Sequence, residues 1–410
     1  MKIPRQTIVR AASVTVCVFA LAVAAGCNGV RRYPPPRFPD SAFHVEPDTD
    51  GAIRRIGATD SASRDLLRRP RNLLVLSGGG ANGTYTAGVL AGWTESGSRP
   101  EFDVVTGISI GAIIAPFAFL GSQYDDVLVH NTNMRGRDIY RRRRLPALIW
   151  SDSFADSGPL QRRIDALITD ELLAEIAAAH RTGRRLYVGT TNLDTKRQVV
   201  WDLGAIAAGN DPKRLDLFRK ILLASAAIPA LLPTVPIDIF VNGRRHTELH
   251  IDGGAAASLF LHRDMLQPDR ATEPVTEQNV FVIVAKGLQQ PNEPVERTLS
   301  RVAGESLSGV LHAQMEGDLR KVFSLARDSG ARVHLAAIPS GFEKNSDSMA
   351  FDRKLMRQLF DEGFHSAATG ECWQSRLPVD IEQEASPRPR RGVQFQLRES
   401  PPVDLKRGKG

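Results

Sequence analysis

Cysteine is almost absent from this 410-residue chain, which has only Cys17, Cys27 and Cys372. The first two fall in an N-terminal segment with the look of a targeting signal. Cys372 alone is then left for a folded part, so an intramolecular disulfide and a cysteine metal cluster are both excluded. Long apolar runs are also lacking: Ala11–Ala24 is mostly apolar but too short to span a bilayer comfortably. Strong charge is missing too. The formal net charge is +7, and Lys2, Arg5 and Arg10 supply three of those charges before any acid appears. Such a balance supports no nucleic-acid partner. No Gly-Lys-Ser/Thr occurs, which rules out a P-loop. What remains is 42% hydrophobic and 24% charged, enough apolar content for a substantial core.

The N-terminus pairs a basic start with the Ala11–Ala24 run and the small residues Ala24-Ala25-Gly26 before Cys27. This resembles the lipobox of bacterial lipoproteins, in which the cysteine is lipidated and becomes the new N-terminus. The resemblance implies a signal peptide over 1–26, a lipidated Cys27 and a chain anchored in the bacterial cell envelope. Asn28 is not the Asp of inner-membrane retention, which favours the outer membrane; a secreted or periplasmic protein is the alternative. Residues 27–70 read as a disordered, proline-rich linker, with four prolines in "RRYPPPRFPD". The tail, 376–410, with "ASPRPRRG" and "KRGKG", reads the same way.

Between these ends, strands and helices alternate. Strands are expected at Leu73–Leu76, Phe102–Thr106, Leu186–Thr191, Val280–Val284 and Val333–Ile338. Helices are expected at Thr84–Glu95, Ile110–Leu120, Arg214–Ala227, Leu307–Arg327 and Phe351–Ala367. Asn242-Gly243 between two extended runs signals a hairpin. The alternation argues for an α/β layered domain with a largely parallel central sheet.

Glycine is concentrated in "SGGGANG", Ser77–Gly83, directly after a strand. Gly78-x-Gly80-x-x-Gly83 matches the dinucleotide fingerprint, but the matching acid, Asp103, begins its strand and lies at the wrong edge of the sheet. By itself the loop reads either as a tight turn or as an anion site. "GISIG", Gly107–Gly111, decides between them. It sits between a strand and a helix, the context of a G-x-S-x-G nucleophile elbow, in which Gly107 and Gly111 relieve crowding and Ser109 projects its hydroxyl. Attack on an ester by Ser109 would place negative charge on the carbonyl oxygen. The glycine loop then reads as an oxyanion hole drawn from the N–H groups of Gly78, Gly79, Gly80 and Ile110.

Serine needs a proton acceptor. His262, His312 and His365 follow Ser109 as a Ser-His-Asp triad requires, but none has a distinctive setting. Asp252 does, at the end of an extended run and ahead of Gly253-Gly254, although Asp-Gly-Gly by itself reads equally as a turn. "MRGRDIYRRRRLPALIW", Met134–Trp150, concentrates six arginines beside apolar residues, and reads as a solvated loop or as a lid over lipid.

Taken together, "LVLSGGGANGTYTAGVL", "VVTGISIGA" and "IDGG" resemble the patatin-like phospholipases, with "SFADSGPL", "TTNLDT" and "ASAAIPALLP" following in family order. The resemblance implies a three-layer α/β/α sandwich over 71–372 and hydrolysis of lipid acyl esters with no cofactor or metal. It assigns Ser109 as nucleophile and Asp252 as general base of a dyad, with Gly83, Gly107, Gly111, Gly253 and Gly254 as structural glycines. The family usually has Arg or Lys where Asn82 stands. Lipid or phospholipid is the implied partner. The competing readings are a triad esterase and a catalytically inactive, lipid-binding lipoprotein.

Overall fold

The computed structural model describes residues 52–54 and 71–377, apart from 131–133, 144–150, 242–243, 267–276, 290–293, 341 and 343–350. Nine of the described strands form one sheet: β1 (Ala52–Arg54), β2 (Arg71–Leu76), β3 (Val104–Ile108), β4 (Arg185–Asn192), β5 (Arg197–Asp202), β6 (Val235–Val241), β7 (Arg244–Asp252), β8 (Gln278–Gly287) and β9 (Arg332–Ile338). Their order is β1-β5-β4-β3-β2-β8-β9, with β7 pairing to both β4 and β6. Strands β4-β3-β2-β8-β9 run parallel, as do β1 and β5. The β4–β5, β4–β7 and β6–β7 pairs are antiparallel.

The helices α1 (Gly83–Glu95), α2 (Ile110–Leu120), α3 (Gly158–Leu167), α4 (Asp170–Arg181), α5 (Leu203–Ala208), α6 (Arg214–Ser225), α7 (Leu299–Asp328) and α8 (Arg353–Thr369) flank this sheet. Strands buried on both faces carry unbroken apolar runs. Leu73, Leu74, Val75 and Leu76 are all fully buried, as are Val282, Ile283, Val284 and Ala285. The two faces separate by alternation. Leu74, Leu76, Val105, Leu186, Val188, Phe281 and Ile283 join one core with Val89, Ala115, Ile176, Phe218 and Leu359 from the helices. On the other face, Thr106 Oγ1 donates to the Phe260 carbonyl at 3.0 Å, and the Arg71 guanidinium donates to the carbonyls of Met265 and Leu266.

The expected elements are present, with shifted ends. Strand β3 runs two residues further than its apolar run suggests. Asp103 stays outside the ladder, accepting from Asn72 N–H through its carboxylate and from Arg185 N–H through its carbonyl. Helix α7 starts eight residues before Leu307, where Thr298 caps it by accepting from Arg301 N–H. Two readings need correction or lie outside view. Residues 27–70 are not uniformly without structure, because β1 pairs parallel with β5 there. The Asn242-Gly243 turn lies outside the described residues, although the hairpin it joins is formed by β6 and β7.

Trp93 on α1 packs its ring against Phe102, Phe281 and Trp373, with centroids 4.6–5.7 Å apart. The same helix crosses α8 so closely that a methyl group on Gly88 or Gly92 would overlap the backbone of Phe360 or Phe364. Gly92→Ala must therefore push the two helices apart. Denaturant titration should show a loss of at least about 1–3 kcal/mol, and an unchanged midpoint would contradict the close crossing.

Candidate active site

The site starts from a fork in the sheet. Strand β3 pairs along β4 as far as Ile108 opposite Gly189, where β3 ends. From the next residue, Thr190, the same edge of β4 is taken up by β7 running antiparallel, with Thr190 opposite Asp252 and Asn192 opposite His250. Asp252 thus occupies the ladder position that follows Ile108, and Ser109 must turn off the sheet there. A carboxylate and a hydroxyl separated by 143 residues are forced together by register alone.

Ser109 directly follows β3 and is the N-cap of α2, with φ 54° and ψ −122°. A positive φ on a residue with a Cβ costs roughly 1–3 kcal/mol and must be held by its surroundings. Part of that hold is Ser225, at the end of α6. Its Oγ accepts from Ser109 N–H at 3.0 Å and donates to the Gly189 carbonyl at 2.7 Å. The flanking glycines are also required. A Cβ on Gly107 would sit 2.5 Å from the Gly111 carbonyl, and one on Gly111 would sit 2.6 Å from the Ser77 carbonyl.

Ser109 Oγ donates to Asp252 Oδ2 at 2.7 Å. The other carboxylate oxygen accepts from Gly254 N–H at 2.7 Å. The backbone of Asp252 is fixed as well: its N–H donates to the Ala227 carbonyl at 2.8 Å, and its carbonyl accepts from Thr191 Oγ1 at 2.9 Å. Ser109 and Asp252 are 7% and 5% exposed. Burial pushes the Asp252 carboxyl up to about 6, while the bonds from Ser109 and Gly254 pull the other way without cancelling that shift. The group is therefore a stronger base than an exposed aspartate, yet still ionised at neutral pH.

The predicted anion-binding residues divide. Gly80 and Ile110 line the same cavity as Ser109. Gly79 precedes them against Ala285, where a Cβ would meet the Ala285 carbonyl at 2.5 Å. Among the described residues, the N–H groups of Gly79, Gly80 and Ile110 have no protein acceptor. Gly78 is a correction. It abuts Ser109, but its N–H is spent on the Ser258 carbonyl at 3.1 Å, so it cannot also face an oxyanion. Gly83 and Gly253 are both buried, each where a side chain would collide, with Ile110 and with the Gly189 carbonyl respectively. Asn82 is buried at the start of α1 and makes no capping bond.

The histidine candidates lie elsewhere. His365 Nδ1 bonds the Asp361 carbonyl within α8. His312 bonds the backbone of Leu288, with Lys286 and Glu316 nearby, and His262 packs edge-on to Phe260. Buried His250 is engaged by Thr190 and Glu248. None of these rings bonds Ser109 or Asp252.

A cavity lined almost entirely by apolar side chains opens beside Ser109. Ile110, Ile113, Ile114 and Phe117 line it along one face of α2, and Leu160 and Leu232 face them. Arg163 is the one charged group among its described lining residues. Met134, Ile139 and Tyr140 from the arginine-rich segment also enter it, while Arg141 and Arg142 are exposed; residues 144–150 lie outside the described residues. Sequence reasoning offered this segment as a loop or a lid without naming Met134, Ile139 or Tyr140, and it missed Ser225, which sits inside a motif noticed only for its order.

A family model described as patatin-like phospholipase matches residues 74–263. No curated protein matches. Among solved structures, VipD from Legionella pneumophila is 12% identical, over 72% of this chain and 67% of that one, with a TM-score of 0.31. The type III effector protein ExoU is 13% identical, over 73% of this chain and 53% of that one, with a TM-score of 0.21. The chain thus spans about half the length of ExoU, and superpositions this loose carry no argument about the site.

Ser225 gives the geometry its own test. Ser225→Ala removes the partner of two buried backbone groups, so unfolding should become easier by about 1–3 kcal/mol. Ester turnover, if present, should fall in kcat with little change in KM, because the side chain orients Ser109 without lining the cavity. A variant with wild-type stability and kcat would remove Ser225 from the site.

Proposed function

Residues 74–263 are a patatin-like phospholipase domain, and from that premise we propose that the protein is a lipid acyl hydrolase of the phospholipase A or lysophospholipase type, working through a Ser-Asp dyad without a metal. The observation that carries this is the 2.7 Å bond from Ser109 Oγ to Asp252 Oδ2, set beside open backbone donors and an apolar cavity.

In this reading Asp252 Oδ2 takes the hydroxyl proton as Ser109 Oγ attacks the ester carbonyl carbon. The N–H groups of Gly79, Gly80 and Ile110 stabilise the resulting oxyanion; donors of this kind are typically worth roughly 10²–10³ in rate each. Collapse of the tetrahedral species breaks the ester C–O bond, and the proton held by Asp252 leaves with the alcohol. Water then repeats the cycle on the acyl-serine, with Asp252 again accepting a proton. Asp252 needs no third group to choose its tautomer, as a histidine would. The acyl chain fits the cavity lined by α2, and the charge on Arg163 is the feature there suited to a polar end of the substrate. An acylated Cys27 and the proline-rich 27–70 segment would tether this domain to the envelope, at the outer membrane, within reach of lipid.

Both Ser109→Ala and Asp252→Asn should lower kcat on a chromogenic ester by on the order of 10³ or more, while losing His262, His312 or His365 one at a time should leave turnover intact. Because the base must be deprotonated, log(kcat/KM) should fall with unit slope as pH drops below about 6. A histidine whose loss abolishes turnover would contradict the dyad, and a limb near pH 4 would contradict the upward shift of Asp252.

A further inference from the structure

Helix α7 is 30 residues long, but only its second half belongs to the core. Met315, Leu319, Val322 and Ala326 are buried along one stripe. The first half stands clear of the fold: Leu299 is 89% exposed, Val310 64%, Leu307 61%, Val302 48% and Leu311 38%. At 100° per residue these five side chains share one half of the helix surface, and Arg301, Glu305 and Ser308 occupy the other. Ser306 falls within the apolar half, and among the described residues nothing covers that side. Among the described residues no helix is long and apolar enough to cross a membrane, so α7 does not span one.

The point where the helix leaves the core is the rim of the site. Gln314 Nε2 donates to the Gly254 carbonyl at 3.1 Å, and Asp318 accepts from Ser258 N–H at 2.7 Å. Gly254 is the residue that holds Asp252. Residues 299–313 therefore extend roughly 22 Å outward from the dyad's own turn, at 1.5 Å per residue.

The helix is also weak by itself. Gly304 and Gly309 have open space where a side chain would go, so no packing among the described residues accounts for them. Each costs about 1 kcal/mol of helix stability relative to Ala. A short, glycine-bearing half-helix with few tertiary contacts is marginal in water and gains order on a second surface.

Two features identify that surface. The charges along this stretch are Glu296 and Glu305 against Arg297 and Arg301, so no basic cluster is present to seek anionic headgroups or nucleic acid. The apolar strip offers on the order of 500 Å², short of the roughly 800 Å² per partner that a stable protein interface buries. A bilayer sets no such minimum, and an amphipathic helix can lie in its interface by apolar insertion. Resting on the lipid-hydrolase reading above, we infer that residues 299–311 dock by their apolar face into an uncharged bilayer surface and bring the rim of the Ser109–Asp252 site against the lipid that carries the ester.

The test compares the full chain with Leu307→Ser/Val310→Ser, both exposed positions away from the dyad. Turnover of a water-soluble short-chain ester should stay within about twofold, while hydrolysis of phosphatidylcholine in neutral vesicles should fall by roughly tenfold for each apolar side chain lost. Leu307→Trp should show a blue-shifted emission on adding the same vesicles, undiminished in 1 M salt. Three results would each overturn docking. These are equal vesicle hydrolysis by the double variant, a tryptophan signal that requires anionic lipid, and a dimer that dissociates in the double variant. A wild-type chain inactive on both substrates would instead sink the hydrolase reading, and the tryptophan shift would still report on docking separately.

Discussion

The fork at the end of β3 is the constraint on which the rest of this molecule depends. Strand β4 is longer than β3, and its free edge beyond Gly189 must be paired or left with bare backbone groups. Pairing it with β7 fixes Asp252 one ladder step beyond Ile108. The 2.7 Å bond between Ser109 and Asp252 follows from that register, and so does the buried position of both groups. A slip of one residue in β7 would turn the carboxylate to the opposite face of the sheet. The backbone bonds on either side, from Asp252 N–H to Ala227 and from Thr191 to the Asp252 carbonyl, oppose such a slip.

This arrangement is not stable for its own sake. A carboxylate at 5% exposure and a serine at φ 54° are both unfavourable. They persist because the surroundings leave no alternative: the neighbouring strands β2 and β4 are almost wholly buried, and α1 and α8 interlock at Gly88 and Gly92. The upward shift of Asp252 is the chemical return on that strain, since the same desolvation that penalises the charge increases its basicity. The far side of the site has the opposite character. Its cavity is apolar along α2, while α7 leaves the fold beside Gly254 with its leucines and valines exposed.

Much of this could be read from the residues. The apolar runs of β2 and β8 and the helix Ile110–Leu120 announced themselves by composition, and G-x-S-x-G located the elbow because its glycines have no substitute there. Asp252 stood out before Gly253-Gly254, but that setting alone reads as a turn and only the family resemblance gave it a role. Other parts were not. The commitment of Gly78 N–H to Ser258 is a contact between distant parts of the chain that no local pattern encodes. Ser225 looks like any small helical residue until α6 is placed beside β4. Strand β5, Arg197–Asp202, lacks clean alternation because its residues are buried on both faces. The early start of α7 was hidden because glycine and serine dilute its helical signal and no tertiary contact compensates.

The central claim is that Ser109 is a nucleophile because Asp252 makes it one. Peptide-level mass spectrometry after exposure to a fluorophosphonate tests this most directly. The account predicts a phosphonyl adduct on the peptide containing Ser109 in the folded wild-type chain, and little or none when Asp252 is replaced by Asn. Labelling at another residue, or equal labelling of Ser109 in the Asn variant, would contradict it.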